Sequence, residues 1–217
     1  RIRNPDKWLL QERFDKAIIA YRQEDEQAVF KMPEVLVKKL MQAKCHIIIV
    51  PKLTHFISRN QQAIPKMVVL AEAFNPKAKK ASFQIDASVK YGYQTQNVIG
   101  YIKGSVKPDS FLVYTAHYDH LGNMGKETYF PGANDNASGV AMLIEIANYY
   151  AKNPPSYSVA FIAFGAEEAG LVGSRYYTAL PFFSLQSIKF LINLDLFGTG
   201  ATGTTVVNGA IFKEEFE

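Results

Sequence analysis

Apolar and polar positions divide this chain into two stretches of different character. Residues 16–21 (KAIIAY) and 45–50 (CHIIIV) are short β-branched runs. Between them, 33–44 (PEVLVKKLMQAK) repeats its apolar positions at helical spacing, with Pro33 suited to the first turn. Residues 64–74 (IPKMVVLAEAF) supply another strand, and the polar, proline-bearing 75–80 (NPKAKK) marks a boundary. This gives a smaller N-terminal region, residues 1–80, of α/β or β-rich character, and a second region spanning 81–217.

The second region has a more regular rhythm. Residues 82–104 alternate and then turn, as antiparallel edge strands do. FLVYTA (111–116) reads as a central strand, and 136–153 as a helix, with Leu143, Ile146, Ala147 and Tyr150 at helical spacing before Pro154-Pro155. YSVAFIAFG (157–165) is the next strand, 168–180 the next helix and IKFLINLDLFG (188–198) the next strand. Strands alternating with helices of this length predict βαβ crossovers: an α/β fold with a mostly parallel mixed sheet and helices on both faces.

Composition removes several classes of function. The 217 residues are 48% hydrophobic and 20% charged, enough apolar material for a sizeable core. A net charge of +4 is spread without a basic, aromatic-interleaved stripe, so nucleic acid is not an expected partner. The single cysteine, Cys45, precludes an intrachain disulfide framework or a cysteine zinc site and reads as a buried, inert thiol. No apolar run reaches membrane-spanning length. The chain begins at Arg1, consistent with a removed signal peptide or a start within a longer chain; the expectation is a secreted or periplasmic protein.

The chemistry gathers at strand ends. His117 and Asp119 follow the strand at 111–116, Asp135 lies in the loop before the following helix, Glu167 and Glu168 follow the strand at 157–165, and Asp195 closes the strand at 188–194. A parallel sheet brings such residues to one edge, where α/β proteins bind ligands. Carboxylates held together stay ionised when a cation neutralises them, and an imidazole with carboxylates suits zinc, with manganese or cobalt as alternatives. Asp119, two residues after His117, is placed to accept the imidazole's second N–H. His120 reads as a loop residue or one that supports a ligand from behind, and His46 and His55, without acidic company, as structural.

Four segments, AHYDHLG (116–122), PGANDNASG (131–139), FGAEEAGLVGS (164–174) and NLDLFG (193–198), resemble in this order the co-catalytic dinuclear zinc aminopeptidases typified by bacterial leucyl aminopeptidase. The resemblance covers roughly residues 85–217. It implies two zinc ions bridged by Asp135, with His117 and Asp195 completing one site and Glu168 ligating the other. Glu167 would be the general base toward water, and peptides with a free N-terminus the substrates. A cis peptide bond after Asp135 is also implied. Residues 10–80 resemble the protease-associated insert of some relatives.

The resemblance also implies a further histidine ligand well after NLD, and none follows Asp195, the histidines being 46, 55, 117 and 120. The expectation is a chain truncated at both ends, its full-length parent active and the 217-residue piece weak or dead. Two other readings share the architecture: a single-zinc glutaminyl cyclase, which the DNASG run disfavours, and a non-catalytic receptor-like homologue, which would show substituted ligands.

Overall fold

The computed structural model describes residues 13–54, 57–198, 200 and 203–216. The chain forms two compact units, Arg1–Lys90 and Tyr91–Glu217, so the 75–80 stretch lies inside the first.

In the first unit, β1 (Ile18–Arg22), β2 (Cys45–Val50) and β3 (Lys66–Leu70) form a sheet in that order with every pairing parallel. The crossover from β1 to β2 carries two short helices, α1 (Glu26–Phe30) and α2 (Glu34–Leu40). Pro33 caps α2 with extended geometry, and the helix stops at Leu40 instead of running to 44. Leu36 and Leu40, one helical turn apart, bury against Phe14 and Ala43, which makes this small core. Cys45 is buried and free. His46 is buried beside it, its Nε2 3.3 Å from the Leu40 carbonyl, and burial pushes its pKa down. Both are structural; His55 lies outside the described residues.

The second unit is built on β4 (Val98–Ile102) and β5 (Lys107–His117), then a small hairpin of β6 (Asn123–Met124) and β7 (Thr128–Tyr129), α3 (Ser138–Lys152), β8 (Tyr157–Phe164), α4 (Val172–Ala179) and β9 (Ile188–Asn193). The sheet order is β4-β8-β5-β9, with β8 and β9 parallel to β5 and β4 antiparallel to β8. Successive residues of a strand face opposite ways, and β8 uses this to bind a helix on each side. Val159 and Phe161 pack with Ala116, Leu143 and Leu194 on the α3 face. Ala160 and Ile162 pack with Val113 and Tyr177 on the α4 face. Such two-sided burial explains why 157–164 is a nearly unbroken apolar run.

Two expectations are corrected. Residues 82–97 form no strand, and only Val98–Ile102 pairs, with β8 and not with its own preceding stretch. The alternation of Phe83 and Ile85 finds no sheet partner, and both side chains are exposed. The helix expected from 168 starts only at Val172, because Gly170 and Leu171 adopt positive φ and close a turn first. No described helix is long and apolar enough to cross a membrane.

Candidate metal centre and active site

Each expected site residue sits where the sheet delivers it. His117 is the last residue of β5, Glu167 and Glu168 follow β8, and Asp195 follows β9 by two residues. Because β5, β8 and β9 run parallel, these groups converge on one edge. Asp135 arrives from the loop that opens α3.

His117 organises the centre. It is 4% exposed, and its Nδ1 lies 3.1 Å from the main-chain oxygen of Asp119. A carbonyl oxygen only accepts, so Nδ1 carries the proton and Nε2 presents its lone pair. That Nε2 stands 3.2 Å from Asp135 Oδ1 and 3.6 Å from Asp195 Oδ1. A lone pair facing two carboxylate oxygens is repulsive until a cation sits between them. His117, Asp135 and Asp195 offer ligand atoms that all lie within 4.8 Å of one another.

Asp119 has a different task from the one its spacing suggests. Its carboxylate is 3.9 Å from His117 Nδ1, too far for a hydrogen bond. Its Oδ1 instead accepts the main-chain N–H of Glu167 at 2.9 Å and its Oδ2 that of Glu168 at 3.1 Å. The imidazole is thus fixed by Asp119's carbonyl, while the Asp119 side chain holds the turn that carries both glutamates.

A second set of donors shares Asp135. His120, Asp135 and Glu168 also place one ligand atom each within 4.8 Å. His120, read from sequence as a loop or supporting residue, has its Nδ1 2.8 Å from Glu168 Oε1. Both atoms are sealed from solvent, yet they lack the alignment of a hydrogen bond and have no other partner. Orphaned polar atoms of this kind, in an imidazole–carboxylate set, fit a divalent cation such as zinc.

The loops bearing Asp135 and Asp195 are stitched together by their neighbours. Buried Asn136 donates from its amide nitrogen to Leu194 O at 3.0 Å, while its Oδ1 accepts from Gly139 N–H at 3.1 Å and Leu196 N–H at 3.4 Å. Gly198 N–H donates to Asn134 Oδ1 at 2.6 Å, and Phe197 N–H to Ser138 Oγ at 2.9 Å. The Asp135–Asn136 peptide bond is cis, as the resemblance implies. These asparagines carry no charge and sit on no periodic face, so only the PGANDNASG segment itself hinted at them.

The remaining carboxyl is Glu167. Burial pushes its pKa up; Glu168, Asp119 and Asp195 push the same way, and His117 pulls it back down. It lines, with His117 and Asp195, a cavity of about 320 Å³ whose other walls include Ile162, Phe164 and Tyr177.

Comparison with known proteins places this geometry in a family. The model of peptidase family M28 matches residues 97–217, the stretch that holds every site residue above. The chain belongs to peptidase family M28. Among curated relatives of this M28 chain, aminopeptidase YwaD of Bacillus subtilis is 33% identical over 149 residues, covering 68% of this chain and 31% of that protein. A probable zinc metalloprotease of Pyricularia oryzae is 32% identical over 123 residues, covering 55% of this chain and 24% of its own length. The M28 chain therefore spans a third or less of these relatives. The crystal structure of BSAP, a zinc aminopeptidase from Bacillus subtilis, superposes with a TM-score of 0.56 at 26% identity, covering 82% of this chain and 44% of that one. An aminopeptidase from Aneurinibacillus sp. strain AM-1 shares the fold at a TM-score of 0.53 and 22% identity, over 87% of this chain and 47% of its own.

Proposed function

We propose that this chain carries the metal and base residues of a zinc-dependent aminopeptidase, one that hydrolyses the N-terminal residue of peptides at a two-ion centre. The observation that carries the reading is Asp135, shared between two donor sets with the Glu167 carboxyl alongside. Membership of the M28 family and the zinc aminopeptidase and metalloprotease relatives support it.

His117, Asp135 and Asp195 would hold one ion, and Asp135 with Glu168 would contribute to the other. Zinc, when bound, supplies Lewis acidity and lowers the pKa of water at neutral pH. Glu167 takes the proton of the attacking water and delivers it to the departing amine nitrogen. Its upward-shifted pKa suits a group that must accept a proton and then give it up. Asp119 keeps Glu167 and Glu168 in register by holding their N–H groups, and its carbonyl keeps His117 in the metal-binding tautomer. The carboxylate-rich edge favours the amino group of a free peptide N-terminus.

The test is direct. Zinc-loaded protein should cleave aminoacyl anilides or dipeptides, and chelation should abolish cleavage. Glu167→Gln should lower kcat by a factor on the order of 10²–10⁴ with bound zinc unchanged. Equal loss of metal would move the base assignment away from Glu167, and inactivity of metal-loaded protein toward both substrate types would overturn the hydrolase reading.

A further inference from the structure

The turn that carries Glu167 and Glu168 is held at its middle by the Asp119 carboxylate. Its two ends are held by a different side chain. We infer that Asn97 is a positioning residue for this turn, fixing where Glu167 stands without touching the reacting atoms. The inference rests on the reading of Glu167 as the base and adds the residue that places it.

Sheet register brings Asn97 to the turn. It directly precedes β4, which runs antiparallel to β8 with Val98 opposite Ala163. One step back along β4 is one step forward along β8, so Asn97 lies where β8 gives way to the turn. Its Oδ1 accepts the Gly165 N–H at 3.2 Å, and its Nδ2 donates to the Gly173 carbonyl at 2.9 Å. Gly165 follows the end of β8 and Gly173 lies in the first turn of α4, so one planar amide closes the loop 165–173 across its neck. A carboxylate lacks the donor and an aliphatic side chain lacks both groups.

The neck is tight. A Cβ on Gly173 would collide with the Gly165 carbonyl oxygen and with Asn97 Oδ1, and one on Gly165 would stand 2.8 Å from both Gln96 O and Thr95 Oγ1. The Tyr118 hydroxyl donates to Gln96 O at 2.6 Å, so residues 95–97 also fasten the segment that carries His117 and Asp119.

The loop itself needs outside support. Ala166 and Leu171 hold φ of +55° and +58°, a region that side chains disfavour and that persists only where the surroundings over-determine it. Gly170 and Leu171 donate to Glu167 O, and Val172 to Ala166 O, which sets the loop's shape but not its place on the sheet. Its place comes from Asp119 at the middle and Asn97 at the neck. Ala166 lies between Gly165 and Glu167, so a freed Gly165 lets the strained residue relax and carries the base with it.

Amide hydrogen exchange and kinetics of zinc-loaded protein test this together. In Asn97→Ala, the Gly165, Glu167 and Glu168 amides should exchange about tenfold faster relative to Phe161 in β8, the effect of roughly two lost hydrogen bonds. On aminoacyl anilides kcat should fall by about 10–100-fold, as for a small misplacement of a reacting group, while KM moves much less. Asn97→Asp keeps the acceptor for Gly165 and loses the donor to Gly173. It should fall between the two proteins in both readouts, and it supplies them if Asn97→Ala does not fold. Acceleration of Phe161 equal to that of Glu167 would reduce Asn97 to general support of the fold and overturn the proposal, as would an unchanged kcat. If the unsubstituted protein turns over no substrate, the aminopeptidase reading fails, and the exchange ratios alone decide the role of Asn97.

Discussion

Asp119 and Glu167 are joined through the main chain: Asp119 Oδ1 accepts the Glu167 N–H at 2.9 Å, across 48 residues of sequence, while Oδ2 takes the N–H of Glu168 at 3.1 Å. One carboxylate thus sets the position of both glutamates together. The Glu167–Leu171 turn begins under this clamp and closes with Gly170 N–H on Glu167 O at 2.8 Å.

Asp119→Ala should therefore cost stability and activity together. Two part-buried N–H groups lose a charged acceptor, worth about 2–4 kcal/mol in all. Urea unfolding should show the midpoint falling with an unchanged m-value. The kcat of zinc-loaded protein should fall more than its zinc content, since Glu167 moves while His117 keeps its own partner only if the 119 carbonyl stays in place. An Asp119→Ala protein of unchanged midpoint and kcat would remove the clamp from the account.

Much of this arrangement could be read from the residues alone, and the exceptions have physical causes. The convergence of His117, Glu168 and Asp195 was legible because a parallel sheet delivers strand ends to one edge, whereas Asp135, on the loop that opens α3, was legible only through the PGANDNASG segment. Asp119's role was not, because its carboxylate is engaged by N–H groups 48 and 49 residues away, and no local spacing encodes that. Nor was the late start of α4: EAGL has the composition of a helix start, but the Asp119 clamp and the positive φ of Gly170 and Leu171 hold it as a turn. Residues 82–97 alternate like a strand and lack a neighbour to pair with, which is a property of the sheet and not of the segment. The contact of His120 with Glu168 could not be read from the sequence, because Glu168 arrives from the end of another strand.

Gly139→Ala tests the seam between the Asp135 and Asp195 loops. A Cβ at this position would collide with the Leu194 carbonyl and the Asn136 amide. Both are anchored, the first by the Asn136 amide itself, so the strain forces the start of α3 away from the end of β9. The expected cost is about 1–3 kcal/mol, with zinc affinity at the His117 set reduced because Asp135 and Asp195 separate. Chelator competition reads the affinity; an alanine variant with unaltered stability and zinc binding would show the seam to be pliable.

The Glu167 pKa makes a prediction about metal-free protein. The folded value is raised, chiefly by burial. The native state therefore holds this proton more tightly than the unfolded chain does. Stability from this group is fully present below the ordinary glutamate pKa and is lost as pH rises through the higher folded value. Glu167→Gln removes the titration, so in chelator the variant should gain on the unsubstituted protein as pH climbs through that window, and level off above it. Denaturant melts at stepped pH supply the comparison. Parallel curves would mean that Glu167 is not desolvated in the metal-free state.

Metal stoichiometry separates the shared ligand from the unshared ones. Asp195→Ala removes a donor from the His117 set alone, and Glu168→Ala one from the second set alone, so each should leave one tightly bound zinc. Asp135→Ala strips a donor from both sets and should weaken both ions together. Bound zinc stabilises the fold by mass action, about 2.7 kcal/mol for each site at a hundredfold excess over its dissociation constant. The zinc-induced rise in melting temperature should accordingly be largest for the unsubstituted protein, intermediate for Asp195→Ala and Glu168→Ala, and smallest for Asp135→Ala. If Asp135→Ala kept one ion as tightly as either of the other variants, Asp135 would serve a single ion, and the two donor sets would be independent sites that happen to adjoin.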